Sequence, residues 1–514
     1  MNKTTVKSFF EHHKDRFVLA FLYILIEALT NNPRVFVAAR AAKWESWADQ
    51  GSYFRSAHAF LQGNLDPAMH WYPLVYALIL APFSWLPPFY AALIPDLALI
   101  IGCLVGFQMV AQRFGLSRWQ ALALFLPATL VYPHTGDSWL VPWTTTPSAA
   151  FIWLSLGLAF RLEEGRRAPA EALGLGVLLG LIPLVRPGDA LITAMVGLCL
   201  LKPLLIDARR WPELGAICLG GLAVILPYGA LHVAIYGLHP SAYMALSGAY
   251  GLNLGRLGWK AYLIFIEPRP WYPYGDGVLK RLPWFALGAA GLLVAACRKG
   301  RRWQVAVLAL PALAYSAVML AYIDLLPAGL WRFNNIHYFK WIFLLLALFC
   351  WTFLRDLKHH PRLSLAAFLC VMLPAALRLE PVPATTGEPA RLAVFPAGVT
   401  EFADTYFSDI VLEDNAGHQV SSFDFHPVPD QAGLVLAEAL RRDFAGNERL
   451  RPRLPADHWP VEGAAIRNTA RLPAVPQGAI ARYRPALALG WPCWLPPYGC
   501  PASLPAASVP APAP

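Results

Sequence analysis

The chain has 514 residues, of which 57% are hydrophobic and only 14% are charged. Soluble domains carry about 25% charged residues, so the composition excludes an ordinary soluble protein and predicts a polytopic membrane protein. The net charge of +10 does not indicate nucleic-acid binding. The basic residues form short clusters between apolar segments, as topology signals do, and they do not form the basic stripe that is typical of a nucleic-acid interface.

A membrane-spanning helix needs roughly 20 apolar residues, with somewhat shorter segments where the ends are polar. We predict spans near 17–38, 91–112, 119–133, 147–161, 171–185, 189–206, 213–236, 283–297, 304–323, 338–354 and 363–378. Residues 71–88 are also apolar, but they contain four prolines and favour an interfacial or re-entrant helix. If 71–88 does not span, most basic clusters fall on the side of the N-terminus, which is therefore predicted to be cytoplasmic.

This topology predicts a first outer loop at 39–90 and a C-terminal region on the outer side. We assign 1–378 to a transmembrane module, 379–500 to a small extracytoplasmic soluble α/β domain, and 501–514 to a disordered Pro/Ala-rich tail. Strand-like runs occur at 392–395 and 409–412, and a helix-like run begins at 434. Cys493 and Cys500 are either a disulfide or two thiols, and the sequence leaves both open.

The first outer loop contains a carboxylate beside the predicted membrane surface. Residues 47–62 predict an amphipathic helix ended by Gly63, with an apolar stripe through Phe54 and with Asp49 and Tyr53 on the opposite face. A carboxylate near the bilayer is costly unless it has a role, so Asp49 is a candidate for catalysis. The alternative is an interfacial helix whose Asp49 is simply hydrated.

The second outer loop contributes His134 and Asp137, which the short loop keeps near the same membrane face. Two carboxylates there, Asp49 and Asp137, can share the work of orienting and deprotonating an acceptor hydroxyl, with His134 as a further base. The alternative is a polar turn that caps the next helix.

Arg186 stands at the predicted outer edge, with almost no loop between the spans on either side. This position opposes the positive-inside rule, so Arg186 is expected to have an anionic partner. That partner is either a lipid phosphate or the neighbouring Asp189, and we leave both open.

Two later outer loops add cations among aromatic residues. Arg332, His337 and Lys340 are potential phosphate ligands, and Tyr338 stands between the last two. Lys260 belongs to a loop that either closes over a substrate or forms an ordinary amphipathic cover. The alternative for the first group is an interfacial belt of snorkelling side chains.

The order of these residues along the chain resembles the GT-C glycosyltransferase superfamily of integral membrane enzymes. The resemblance covers roughly residues 15–355. It is carried by Asp49-Gln50, Tyr53, Gly63, Tyr72-Pro73, Asp137, Arg186-Pro187, Arg332 and His337-Tyr338. It implies a mainly α fold, a helical bundle of about eleven membrane helices with amphipathic helices in the first outer loop.

The resemblance also implies a reaction, in which a sugar moves from a polyprenyl-phosphate carrier to an acceptor hydroxyl with inversion at the anomeric carbon. Asp49 would be the general base or would position the acceptor, with Tyr53, His134 and Lys260 among the substrate-binding residues. Arg186, Arg332, His337 and Lys340 would hold the carrier phosphate, and Tyr338 would be a further substrate-binding residue. The acceptor would be a glycolipid, a polysaccharide or a protein.

The sequence departs from the superfamily pattern at one position. The first motif is typically Asp-Glu in the aminoarabinose and O-mannosyl transferases, whereas Asp49 is followed here by Gln50. The second carboxylate is therefore left to Asp137 or Glu45. No cofactor is expected and no metal signature stands out, although the resemblance leaves a divalent metal open.

Two other functions compete with sugar transfer from a polyprenyl phosphate. An O-antigen ligase or polymerase would use Arg332 and His337 and would not need Asp49. A transporter would bind its substrate near the midplane and tends to contain internal repeats, and we find none. The high Ala and Pro content suggests a bacterial protein, and hence an inner membrane with the C-terminal region in the periplasm.

Overall fold

The computed structural model describes residues 3–30, 48–131, 133–163, 169–241, 278–298, 302–322 and 335–358, six strands after residue 390, and single positions between 243 and 300. Its described part is mainly helical. The helices are α1 (Lys3–Thr30), α2 (Ala48–Leu61), α3 (Leu74–Leu80), α4 (Pro88–Arg113), α5 (Arg118–Leu126), α6 (Pro133–Leu140), α7 (Thr145–Glu163), α8 (Pro169–Val185), α9 (Ala190–Ile206), α10 (Trp211–Tyr236), α11 (Val278–Arg281), α12 (Trp284–Cys297), α13 (Arg302–Ala321) and α14 (Lys340–Lys358).

Four helical stretches among the described residues are long and apolar enough to cross a membrane. They are Tyr90–Arg113, Ala208–Tyr236, Arg302–Ala321 and His337–Asp356. Shorter apolar stretches include Pro169–Val185, Pro187–Leu200 and Trp284–Cys297. The helical bundle is therefore compatible with a membrane protein, as the composition predicts.

One predicted span differs from the described helices, and another cannot be compared with them. The predicted span 119–133 covers the end of one helix and the start of the next. Helix α5 ends at Leu126, a π-helical turn follows at Pro127–Val131, and α6 starts at Pro133. Proline lacks the backbone N–H that would continue a regular helix, and Pro127 and Pro133 stand at the start of the π-helical turn and of α6. The predicted span 363–378 lies outside the described residues.

The helices approach closely where glycine replaces a side chain. In α4, a Cβ built on Gly106 would lie 2.3 Å from the backbone of Trp153 in α7. A Cβ on Gly176 of α8 would lie 2.0 Å from the Ile217 carbonyl of α10, and one on Gly220 would lie 2.2 Å from the Leu173 carbonyl. Small residues of this kind let helix backbones pack together where lipid offers no hydrophobic driving force.

The segment that the sequence predicts as the first outer loop folds into a packed subdomain. Gly63 adopts a φ of 68° after α2, a conformation that glycine tolerates at a helix end. The chain then returns so that α3 packs on α2, with Tyr53, Phe54 and Tyr76 buried together. Phe54 is therefore inside this subdomain, not on a surface facing lipid as the predicted apolar stripe implied. With a rise of about 1.5 Å per residue, α3 is far too short to span a bilayer, which agrees with the interfacial assignment of 71–88.

The chain divides into two compact units. The first contains residues Met1–Met244, Leu282–Ser316 and Ile336–Leu379, and the second contains Ala245–Arg281, Ala317–Asn335 and Glu380–Pro514. The strands of the second unit are β1 (Arg391–Val394), β2 (Glu401–Thr405), β3 (Phe407–Glu413), β4 (Gln419–Asp424), β5 (Arg467–Arg471) and β6 (Ile480–Pro485). They form an antiparallel sheet in the order β1-β6-β3-β4 and a separate antiparallel pair β2-β5. Both strand-like runs of the sequence overlap strands, β1 and β3, and the predicted helix at 434 lies outside the described residues.

Candidate functional site

Helix α2 presents Asp49 and Tyr53 on one face of the first unit. The Gln50 side-chain nitrogen donates a hydrogen bond to the Pro142 carbonyl at 3.0 Å, which ties the start of α2 to the segment before α7. Tyr53 is only 3% exposed, whereas Asp49 is partly accessible. On the face that the sequence assigns to chemistry, Tyr53 is therefore turned into the protein and Asp49 keeps partial access to solvent.

Asp49 is paired with a tyrosine from beyond the turn. The Tyr72 hydroxyl donates a hydrogen bond to the Asp49 carboxylate. The Tyr72 ring also contacts the ring of Tyr53, with centroids 4.9 Å apart, and the ring of Tyr243, at 4.8 Å. Burial raises the pKa of Asp49, and the hydrogen bond from Tyr72 opposes this rise only in part. Asp49 is thus a stronger base than a hydrated aspartate.

Arg186 lies between α8 and α9 and has several partners. Its guanidinium is 3.5 Å from the Asp189 carboxylate, donates a hydrogen bond to the Tyr315 hydroxyl at 3.2 Å, and lies over the Tyr338 ring at 4.9 Å. Asp189 also accepts a hydrogen bond from the Ser148 hydroxyl. Of the two partners that the sequence left open, the structure shows the local one, Asp189.

A short series of contacts connects the start of α2 to Arg186. Gln50, next to Asp49, binds the Pro142 carbonyl, and the adjacent Trp143 stacks on the His337 ring. Tyr338, the residue after His337, lies under the Arg186 guanidinium. The Asp49 end of α2 and Arg186 therefore lie in one contiguous region of the first unit.

His337 and Tyr338 border Arg186. The His337 ring is 5% exposed and stacks on Trp143 with centroids 4.2 Å apart and an interplanar angle of 7°. Its Nδ1 is 3.1 Å from the Thr145 hydroxyl. The Tyr338 carbonyl accepts a hydrogen bond from the Tyr315 hydroxyl at 2.8 Å, which links this segment to the Arg186 contacts.

Lys340 is placed differently from the residues just before it. Its side chain is fully buried, and Nζ donates hydrogen bonds to the Ser138 carbonyl at 2.9 Å and the Thr146 hydroxyl at 2.6 Å. The ammonium also lies 4.6 Å from the centroid of the Trp139 ring. These contacts join α6, α7 and α14 inside the helical unit, so the structure gives Lys340 internal partners.

Four predicted site residues are not part of the described geometry. His134 and Asp137 lie in the short helix α6, and the structure places only their backbone. Lys260 and Arg332 lie outside the described residues. Their roles stay predictions from the sequence.

The structure adds residues that sequence reasoning did not place in the site. Tyr72 was part of the family resemblance but was not assigned a role, and Tyr315 stood unremarked inside a predicted span. Trp143 and Thr144 lie in the Trp-Thr-Thr-Thr run just before a predicted span, and an aromatic followed by hydroxyls at that boundary was an available signal.

No protein-family model, curated protein or solved structure matches this chain. Within the described ranges, no group of three His, Cys, Asp or Glu side chains is placed to hold a metal ion. The chemistry of the site therefore has to be argued from its own geometry.

Proposed function

We propose that this chain is a membrane glycosyltransferase, which moves a sugar from a polyprenyl-phosphate carrier to an acceptor hydroxyl. The observation that carries the proposal is the series of contacts, from Gln50 through Trp143 and His337, that joins the carboxylate end of α2, where Asp49 has a raised pKa, to the Arg186 guanidinium. Transfer from a phosphate carrier requires a base for the acceptor and a cation for the leaving group.

In the proposed reaction, Asp49 takes the proton of the acceptor hydroxyl as the acceptor oxygen attacks the anomeric carbon. The bond between the anomeric carbon and the phosphate oxygen breaks from the opposite face, and its electron pair leaves with the carrier phosphate. The anomeric configuration is therefore inverted. A base works best when its pKa is near the operating pH, so the raised pKa of Asp49 favours this role.

Arg186 would stabilise the charge that develops on the departing phosphate. An arginine can bind two phosphate oxygens at once through its planar fork of N–H groups. Its present contact with Asp189 is a single approach of 3.5 Å, longer than a good charged hydrogen bond. The Tyr338 ring and the Tyr315 hydroxyl would orient the guanidinium while the phosphate replaces part of its contact with Asp189.

The proposal includes the topology predicted from the charges. About eleven spans would set the Asp49 site on the outer face of a bacterial inner membrane, with the N-terminus in the cytoplasm and a C-terminal α/β domain in the periplasm. Donor and acceptor would then meet at the outer membrane surface. The acceptor is a glycolipid, a polysaccharide or a protein, and the second unit would be suited to select it.

The test is a transfer assay with purified full-length protein, a polyprenyl-phosphate sugar and a membrane extract as the source of acceptor. Asp49→Asn keeps the shape of the side chain but removes the base, so we expect transfer to fall by about 10²-fold or more. Asp66→Asn is the matched control, because Asp66 is an exposed cap in the same loop and asparagine can keep its hydrogen bond to Ala68.

Retained transfer in a folded Asp49→Asn protein would overturn the role of Asp49. If His337→Gln abolished glycan transfer while Asp49→Asn did not, the ligase or polymerase alternative would be favoured. Transfer that is lost equally in Asp66→Asn would mean that the loop is only structurally sensitive.

A further inference from the structure

The opposite end of the helical unit contains a cavity of about 390 Å³. Its lining includes four arginines, Arg16, Arg113, Arg118 and Arg161, and no acidic residue among those described. Small-molecule sites have volumes of roughly 300–1,000 Å³, so the cavity is large enough for a ligand and not merely for a few waters.

The cavity is far from the Asp49 site. Asp96, near the start of α4, binds Tyr76 of the first outer loop, whereas Arg113 is the last residue of α4. A rise of 1.5 Å per residue separates these two positions by about 26 Å. In α7, Thr145 contacts His337 at one end and Arg161 lies about 24 Å away at the other. These lengths approach the thickness of a bilayer core, about 30 Å.

Two of the lining arginines interact with acids outside the lining. Arg161 forms an ion pair with Glu171, and Arg113 interacts with Glu163. Asp15 accepts a hydrogen bond from Gln108 at 2.5 Å. None of these three acids is among the lining residues, which are four arginines, two glutamines, one valine and one methionine.

One arginine atom in the cavity wall is unsatisfied. The Nε of Arg16 is buried and has no hydrogen-bond partner within the described part of the chain. A buried charged donor without an acceptor costs more than an ordinary missing hydrogen bond, so an anion that supplied the acceptor would recover that free energy.

The α4 side of the wall is mixed. Val105 and Met109 contribute apolar atoms, the amides of Gln108 and Gln112 alternate with them, and Arg113 follows at the end of the helix. This wall would offer a phosphate group amide donors as well as cations. Arginine clusters are the protein groups that match phosphate oxygens best, because each guanidinium offers a planar fork of donors.

We infer that the cavity lined by Arg16, Arg113, Arg118 and Arg161 binds a phosphate group, of an anionic lipid or of a soluble phosphate compound, at the membrane face opposite the Asp49 site. This binding site is independent of sugar transfer. It would stand even if the proposed function were wrong.

The experiment uses the full chain in a neutral detergent. Phosphatidic acid and diacylglycerol, which differ by the phosphate, are added in mixed micelles, and sodium pyrophosphate serves as the soluble probe. Saturable binding of phosphatidic acid but not of diacylglycerol would identify a lipid source, and binding of pyrophosphate alone would identify a soluble source. Both results support a phosphate site.

Two variants and a control locate the binding. Arg16→Gln removes the unsatisfied donor, and Gln112→Glu adds an acid to the wall that pairs with the arginines; each should weaken binding about tenfold or more. Arg209→Gln should bind as wild type, because Arg209 is exposed and lies outside the cavity. If Arg16→Gln failed to fold, Gln112→Glu would decide alone.

Three results would overturn the inference. The first is no binding of either phosphate probe to the wild-type protein. The second is unchanged affinity in a folded Gln112→Glu variant. The third is an equal loss in Arg209→Gln, which would show that the general positive charge of this face accounts for the binding.

Discussion

The two ends of α4 and α7 carry different arrangements of charge. At one end Asp49 and Arg186 are opposite charges joined by a short series of contacts through Trp143 and His337. At the other end four arginines surround a cavity whose lining contains no acid among the described residues. A mixed pair of charges suits a reaction in which one group loses a proton while another gains negative charge. A cavity of one sign suits binding without chemistry.

This difference explains why the arginines at the two ends deserve different interpretations. Arg186 already has an internal anion, Asp189, and an aromatic ring against it, so its orientation is set before any substrate arrives. Arg16 has a buried nitrogen that no described residue satisfies. The first arginine is prepared for a charge that develops during a reaction, and the second for an anion that is present throughout.

The largest effect should come from disturbing the packing of α4 against α7, the two helices that reach both ends. Gly106→Ala would place a Cβ 2.3 Å from the Trp153 backbone and force α4 away from α7. We expect a loss of roughly 1–3 kcal/mol in stability from overpacking, with sugar transfer and phosphate binding impaired together. Thermal unfolding and the two assays measure this.

Gly102→Ala is the control for that prediction. It lies one turn away on α4, and its Cβ would meet only the Leu154 side chain, at 3.4 Å. We expect it to behave as wild type. Two ends that respond independently to Gly106→Ala would show that the α4–α7 contact does not couple them.

A smaller effect is expected from a substitution at the Asp49 end, where only sugar transfer should change. Arg186→Gln removes the guanidinium but keeps an amide, and we expect kcat/KM for sugar transfer to fall by about 10²-fold. Binding of phosphatidic acid or pyrophosphate at the arginine cavity should not change. Arg186→Lys should recover only part of the activity, because lysine keeps the charge but not the planar fork. Equal activity in all three proteins would remove Arg186 from the phosphate site.

Much of the helical framework follows from local sequence. The apolar pattern and the glycine that follows it predict the bounds of α2 closely. The pattern places a helix at 47–62, and α2 spans Ala48–Leu61 with Gly63 just after it. The break between α5 and α6 was visible as Pro127 and Pro133, but a hydropathy window averages over single prolines. The predicted span therefore extends across the boundary between α5 and α6, where the prolines lack the N–H of a regular helix.

The contacts of the site depend on tertiary structure and could not be predicted in the same way. Tyr72 reaches Asp49 only because the chain reverses after α2, so no spacing rule joins the two residues. Lys340 is the opposite case, a residue with a role predicted from the sequence and with other partners in the structure. Its position at the start of a predicted span suggests a phosphate ligand, but the Ser138 carbonyl and the Thr146 hydroxyl, 202 and 194 residues earlier, give the ammonium partners inside the bundle.

The smallest predicted effect tests the base itself. Tyr72→Phe removes the hydrogen bond that lowers the pKa of Asp49, while burial, which raises that pKa, remains. A base must be deprotonated to act, so transfer rises with pH through the pKa of Asp49 and the rising limb of the pH profile should move to higher pH in the variant. At neutral pH the loss should be at most about tenfold, and activity should recover in alkaline buffer. Tyr90→Phe, at an exposed tyrosine of α4, is the control and should leave the profile in place. A loss of activity in Tyr72→Phe that is the same at every pH would show that the tyrosine positions substrate and does not tune Asp49.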